Sequence, residues 1–261
     1  MKKRSRFLGR VLAIFLLMLV VAVGGFVLWG STPLGPSAEA VAALRSDGSV
    51  VVTDAQWLTF APASTTPVAG LVFYPGGRVD SRAYAPSARA LAARGLLVVI
   101  VPMPLNLAVF APGRAAEAIA AHPEVAVWAV GGHSLGGAMA AAFAGSHPDA
   151  VEGLVLWAAY PASGNDLSGR DDLAVLSVYA TLDGLMTEAE RTASASLLPG
   201  TACWVALDGG NHAQFGSYGV QRGDHPATLS AAAQQGQIVN ATAAFLLGLP
   251  AFAGGGGVMC P

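Results

Sequence analysis

From residue 69 to residue 247, short apolar runs alternate with longer alanine-rich stretches. The runs 69–74, 96–101, 125–130, 151–157, 173–179 and 203–207 are apolar at nearly every position, Glu152 and Ser177 excepted, as strands buried on both faces of a parallel sheet are. The stretches between them carry helical spacing and predict helices over 84–94, 113–121, 135–146 and 187–196, with a last one over 228–247. Ahead of this region, 50–53 and 57–60 flank the polar triplet Asp54-Ala55-Gln56 and predict a β-hairpin. The pattern is that of an α/β domain: an eight-stranded, mostly parallel sheet with helices on both faces. No internal repeat is visible.

A different pattern opens the chain. Residues 11–29 form an uncharged apolar run which, at about 1.5 Å per residue, spans most of a hydrocarbon core of about 30 Å. Five positive charges, Lys2, Lys3, Arg4, Arg6 and Arg10, precede it, and no acidic residue does. The positive-inside rule therefore leaves the N-terminus cytoplasmic and the rest of the chain outside. The apolar run is longer than the usual secretory core and has no small-x-small site beside it, which favours an uncleaved signal anchor. The competing reading is a signal peptide cut near Ser37-Ala38-Glu39-Ala40, giving a secreted protein. Adjacent arginines are absent, which argues against twin-arginine export. The expected organisation is a basic segment 1–10, an anchor 11–29, a Pro- and Gly-containing spacer 30–48 lifting the domain off the membrane, a domain 49–250, and a flexible Gly-rich tail 251–261.

Composition narrows the function. With those five charges removed from the 14 Lys and Arg, the domain has 9 basic against 16 acidic side chains and no basic stripe, which excludes a phosphate-backbone binder. The 2 cysteines, Cys203 and Cys260, fit no zinc pattern. In an exported domain they are compatible with one disulfide that ties down the tail, or with two free thiols.

The third long apolar run leads into Gly132-His133-Ser134-Leu135-Gly136, followed by a helix-forming stretch. This is Gly-x-Ser-x-Gly in a strand-turn-helix setting, which exposes a serine hydroxyl on a sharp turn. Ser134 is the candidate nucleophile, with Gly132, His133 and Gly136 completing the turn. A serine needs a base, and the base needs an orienting acid. Three histidines follow Ser134. His147 ends the helix that starts at the turn and points away. His212 follows the last strand across the pair Gly209-Gly210 and is the first choice, with His225 as the alternative. Asp183, in the Asp-Gly after the run 173–179, is the leading acid; Asp166 and Asp208 are alternatives, and Asp-Gly also suits a plain turn.

The strand count, the serine turn after the fifth strand and the Ser-Asp-His order together resemble the α/β-hydrolase fold over residues 50–247. The stretch from Phe73-Tyr74-Pro75-Gly76-Gly77 to Met103-Pro104 is similar to its small dienelactone-hydrolase-like branch, α/β-hydrolase fold-5. The resemblance implies a serine hydrolase with Ser134, Asp183 and His212 as triad. It implies oxyanion donors at the amide of Leu135 and in Pro75-Gly76-Gly77-Arg78, at Gly77 and Arg78, where tyrosine and proline replace the histidine of the His-Gly-Gly loop in lipases and esterases. Only residues 158–172 are available for a lid, so a fairly open cleft is expected, lined by Tyr160, Met103, Leu105 and Phe215. The expected substrate is a small or medium ester or thioester, with no metal or organic cofactor and no nucleic-acid partner. A lipase or peptidase uses the same machinery, and an inert anchored binding module is the alternative of a different class.

Overall fold

The computed structural model describes residues 2–257 and 260–261. Eight strands form one sheet in the order β1-β2-β4-β3-β5-β6-β7-β8. They are β1 (Val50–Asp54), β2 (Leu58–Pro62), β3 (Gly70–Tyr74), β4 (Leu97–Ile100), β5 (Trp128–His133), β6 (Gly153–Trp157), β7 (Ala174–Ala180) and β8 (Cys203–Leu207). The hairpin β1–β2 and the β2–β4 pair are antiparallel, and every later pairing is parallel. The expected α/β-hydrolase architecture is thus present, strand for strand.

Side-chain alternation along β3 sorts the core onto the two sheet faces. Leu71 and Phe73 pack with α3 (Ala85–Ala92) and α7 (Ala231–Ala253), through Leu91, Ile238 and Phe245. Val72 and Tyr74 pack with α4 (Arg114–Ala120) and α5 (Leu135–Ser146), through Ala118, Ala140 and Phe143. A further domain helix, α6 (Glu188–Ser194), opens on a capping box from Thr187 and Glu190.

Three elements depart from the sequence pattern. The fifth strand runs Trp128–His133 instead of 125–130, because the Trp128 amide is capped by the Glu152 carboxylate at 2.9 Å and pairing carries on to the turn. The last helix continues to Ala253, past Pro250, and the tail beyond is tied back by a disulfide from Cys260 to Cys203, Cα atoms 5.3 Å apart. Within the expected flexible tail, Val258 and Met259 lie outside the described residues.

The third departure is the spacer. Residues 30–48 do not lift the domain away from the N-terminal helix α1 (Lys2–Gly30); they lie on the domain. Leu34 bridges Val79, the Ser37 amide donates to Ser217 O at 2.7 Å, and Ser37 caps a short helix α2 (Ala38–Ala42). Pro and Gly stiffen and bend this segment, but its backbone groups find partners in the domain and hold it there. Within Phe7–Gly30 of α1, an 18-residue stretch has mean hydropathy 3.0 and none of that stretch is buried in the protein, which fits a single membrane span. α7 is also long and apolar, but it packs against the sheet as a core helix.

Candidate active site

β5 delivers Ser134 to the carboxyl end of the sheet. Its backbone sits at φ 52°, ψ −125°, outside the allowed regions for an L-residue and a strained conformation at about 1–3 kcal/mol. α5 begins at the next residue. The strain persists because the flanking turn is closely packed: a Cβ at Gly136 would collide with the carbonyls of Tyr74 and Pro75, and one at Gly132 would lie 2.7 Å from Tyr74 O and Gly137 N. Strand β3 and helix α5 approach this closely only through glycine.

The candidate acid and the candidate base follow the ends of β7 and β8. Asp183 and His212 have buried side chains, and His212 Nδ1 lies 2.7 Å from Asp183 Oδ2. The other carboxylate oxygen, Oδ1, accepts the amides of Leu185 at 2.8 Å and Met186 at 2.7 Å. A carboxylate only accepts, so the proton sits on Nδ1 and the lone pair on Nε2. Nε2 is buried and finds no hydrogen-bond partner among the described residues, so no bond joins it to Ser134 at rest. Both residues line one cavity of about 300 Å³, with Leu135, Tyr160, Leu185 and Met186.

The histidine loop is held by a residue that sequence reasoning passed over. Asp224 Oδ1 accepts the amides of Gly184 at 3.1 Å, His212 at 3.2 Å and His225 at 2.9 Å, and its Oδ2 accepts Ala213 N at 2.8 Å. One carboxylate therefore ties the acid loop to the base loop. In the sequence, Gly223-Asp224 reads as an ordinary turn, and nothing local marks it.

The alternatives lie elsewhere. His225 is exposed and its carbonyl accepts the Asn211 side chain; His147 caps α5 and stacks on Phe143. Asp166 turns its carboxylate onto the Ser168 amide, and Asp208 accepts the Thr181 hydroxyl; both are exposed.

Of the oxyanion candidates, the Leu135 amide is the first of α5 and has no intrahelical acceptor. The Gly77 amide meets no acceptor among the described residues. Arg78 is a correction: its amide donates to Asn106 O at 2.7 Å, so it is not free for a ligand. Three lining expectations are corrected as well. Met103 is buried in the core beside Tyr74, and Phe215 is fully buried and stacked on His133, ring centroids 5.5 Å apart; neither lines the cavity. Leu105 packs instead against Gly30. Tyr160 does line the cavity, its hydroxyl donating to Glu190 at 3.3 Å.

Behind Ser134, His133 is buried with its ring 4.5 Å from that of His212. The Tyr84 hydroxyl accepts the Gly76 amide at 3.0 Å and donates to His133 Nδ1 at 2.8 Å. Burial, and then the neighbouring His212, hold His133 well below the ordinary histidine range, so it stays neutral. Unfolded, the same side chain takes up a proton below about pH 6.5, so the unfolded state binds more protons there and stability falls as pH drops through that value. We expect the thermal midpoint to fall between pH 7.5 and pH 5, and the fall to be shallower in His133→Gln. An unchanged slope in that variant would assign the loss to other groups.

The comparisons agree with this fold. A family model described as "Alpha/beta hydrolase family" matches residues 70–236, more than half of the chain. Comparison with curated proteins finds no match. Among solved structures, the esterase domain of a Rhodothermus marinus protein is similar in fold, with a TM-score of 0.55 and 20% identity over 73% of this chain and 91% of that one. With a family match of that extent, and with the strand order and serine turn described above, this chain belongs to the alpha/beta hydrolase family.

Proposed function

We propose that the chain is a serine hydrolase that cleaves small or medium carboxylic esters or thioesters, anchored by α1 with its domain on the extracytoplasmic side. The observation that carries this reading is the buried Asp183–His212 pair, 2.7 Å apart, whose histidine has an unpartnered Nε2 and lines one cavity with the strained Ser134. His212 Nε2 takes the Ser134 proton as Oγ attacks the carbonyl carbon, and Asp183 stabilises the imidazolium without taking the proton. The amides of Leu135 and Gly77 receive the developing oxyanion. His212 then protonates the leaving alcohol or thiol as its bond to carbon breaks, and water reverses the sequence to release the acid and restore Ser134. The absence of a bond between Ser134 and His212 at rest does not oppose this, since such bonds often tighten only with substrate bound.

A cavity of about 300 Å³ is at the small end for ligand sites and favours short acyl groups. The Cys203–Cys260 disulfide and the charge asymmetry around α1 both favour an oxidising compartment outside the cytoplasm. Hydrolysis of a chain-length series of p-nitrophenyl esters tests the reading. Turnover should be highest on short acyl chains, and a folded protein that turns over none of the series would refute it.

In this scheme Asp224 is a positioning residue. Its loss frees the His212 and Gly184 amides together, and displacements of about 1 Å in a catalytic site cost about 100-fold in rate. Asp224→Ala should lower kcat by about that factor with little change in KM, and Asp224→Asn, which keeps one acceptor oxygen, should recover part of it. Equal kcat in parent and Asp224→Ala would remove Asp224 from the account.

A further inference from the structure

The end of α1 docks on the oxyanion side of the cleft. Arg78 reaches back from that loop: Nε donates to Trp29 O at 2.8 Å, Nη2 donates to Thr32 O at 2.6 Å, and the guanidinium lies 4.4 Å over the Trp29 ring. The Asn106 side chain donates to Gly30 O at 2.9 Å. One turn further along the domain, Phe110 meets Phe26 of α1 edge-on, ring centroids 6.2 Å apart.

That contact fixes a depth. Tryptophan marks the membrane–water boundary in spanning helices, and Phe26 precedes Trp29 by three residues, about 4.5 Å deeper at the helical rise. Phe110, with its ring centroid 6.2 Å from that of Phe26, therefore lies no more than about 2 Å above the level of Trp29. It is 51% exposed and its neighbour Val109 44% exposed, although both are large and apolar. The whole segment 102–113 around them carries no charge. Burying a phenylalanine side chain in hydrocarbon is favourable, whereas leaving it in water gains nothing.

We propose that the Val109–Phe110 turn enters the lipid bilayer beside α1 and forms a second membrane contact made by the hydrolase domain itself. The occupant of this apolar patch is lipid, because the patch is continuous with the lipid-facing surface of α1 through Phe26. The same turn packs on α5, and Leu107 packs beside Gly77, so the contact seats the oxyanion side of the cleft on the membrane surface. The inference rests on α1 spanning the membrane and is independent of the reaction assigned to Ser134.

The described residues contain no free cysteine, so a single introduced thiol can carry a nitroxide label. The full chain, reconstituted in phosphatidylcholine–phosphatidylglycerol vesicles, is labelled in turn at Phe110→Cys, Val109→Cys, Val20→Cys and Val220→Cys, the last a 92% exposed position on the loop after Phe215. Oxygen and a water-soluble nickel chelate compete for each label. The oxygen-to-nickel accessibility ratio at position 110 or 109 should be several-fold above that at position 220 and closer to that at position 20. A ratio at both 109 and 110 equal to that at 220, with 20 in lipid, overturns the second contact while leaving the anchor intact. Aqueous ratios at 20 as well overturn anchor and contact together, and neither result bears on ester hydrolysis.

Discussion

Ser134→Ala should lower kcat for ester hydrolysis by roughly 10⁴- to 10⁶-fold, the scale on which loss of the nucleophile acts in serine hydrolases. The substitution removes one oxygen and little else. The turn around it is imposed by the close approach of β3 to α5 at Gly132 and Gly136, so the strained backbone at position 134 is retained whether the residue is serine or alanine. His212 stays on Asp183, and the oxyanion amides of Leu135 and Gly77 stay in place. The variant should therefore melt at the parent temperature and bind substrate, but form no acyl-enzyme. Steady-state rates on a p-nitrophenyl ester, with a thermal melt as control, measure this. A variant that folds and turns over at the parent rate would contradict the assignment of Ser134.

Asp183→Asn should lower kcat by about 10⁴-fold with little change in KM. The magnitude follows from how the carboxylate is held. Leu185 and Met186 both donate amides to Oδ1, so in the variant the amide oxygen takes that position and the NH₂ faces His212. Two N–H groups cannot face each other, so His212 gives up its Nδ1 proton and places it on Nε2. The nitrogen that should accept the Ser134 proton then carries one of its own. Asp166→Asn and Asp208→Asn, whose carboxylates are exposed and engaged elsewhere, should keep parent kinetics. Kinetics on the three variants separate the acids: a large loss in Asp208→Asn with none in Asp183→Asn would reverse the assignment.

The parts of this site that were legible in the sequence are those whose cause is local. Ser134 announces itself because the turn needs glycines two residues either side and a strand and helix beside it, all within twelve or so positions. His212 and Asp183 stand in the sequence after successive apolar strands, an order that the parallel sheet converts into a 2.7 Å contact. What was missed depends on partners far along the chain. Asp224 looks like a turn residue until the fold brings Gly184 and His212 to its carboxylate. Gly77 and Arg78 are equivalent in sequence, and only the approach of Asn106 shows that the second amide is occupied. Met103 and Phe215 sit near the right loops but face the core, because a loop residue's direction is set by what packs behind it. The spacer was misread for the same reason: Pro33, Gly35 and Pro36 imply a bend, and whether the bend leads away from the domain or onto it is decided by Arg78 and Val79.

The central claim is that Ser134 is a nucleophile activated by His212, and the most direct test is where a fluorophosphonate attaches. After reaction of the folded protein with the probe, proteolysis and peptide mass spectrometry should place a single phosphonyl adduct on Ser134, and none should form on Ser134→Ala or on heat-unfolded parent. An adduct on another serine, or a folded parent protein that takes up no probe, would contradict the account.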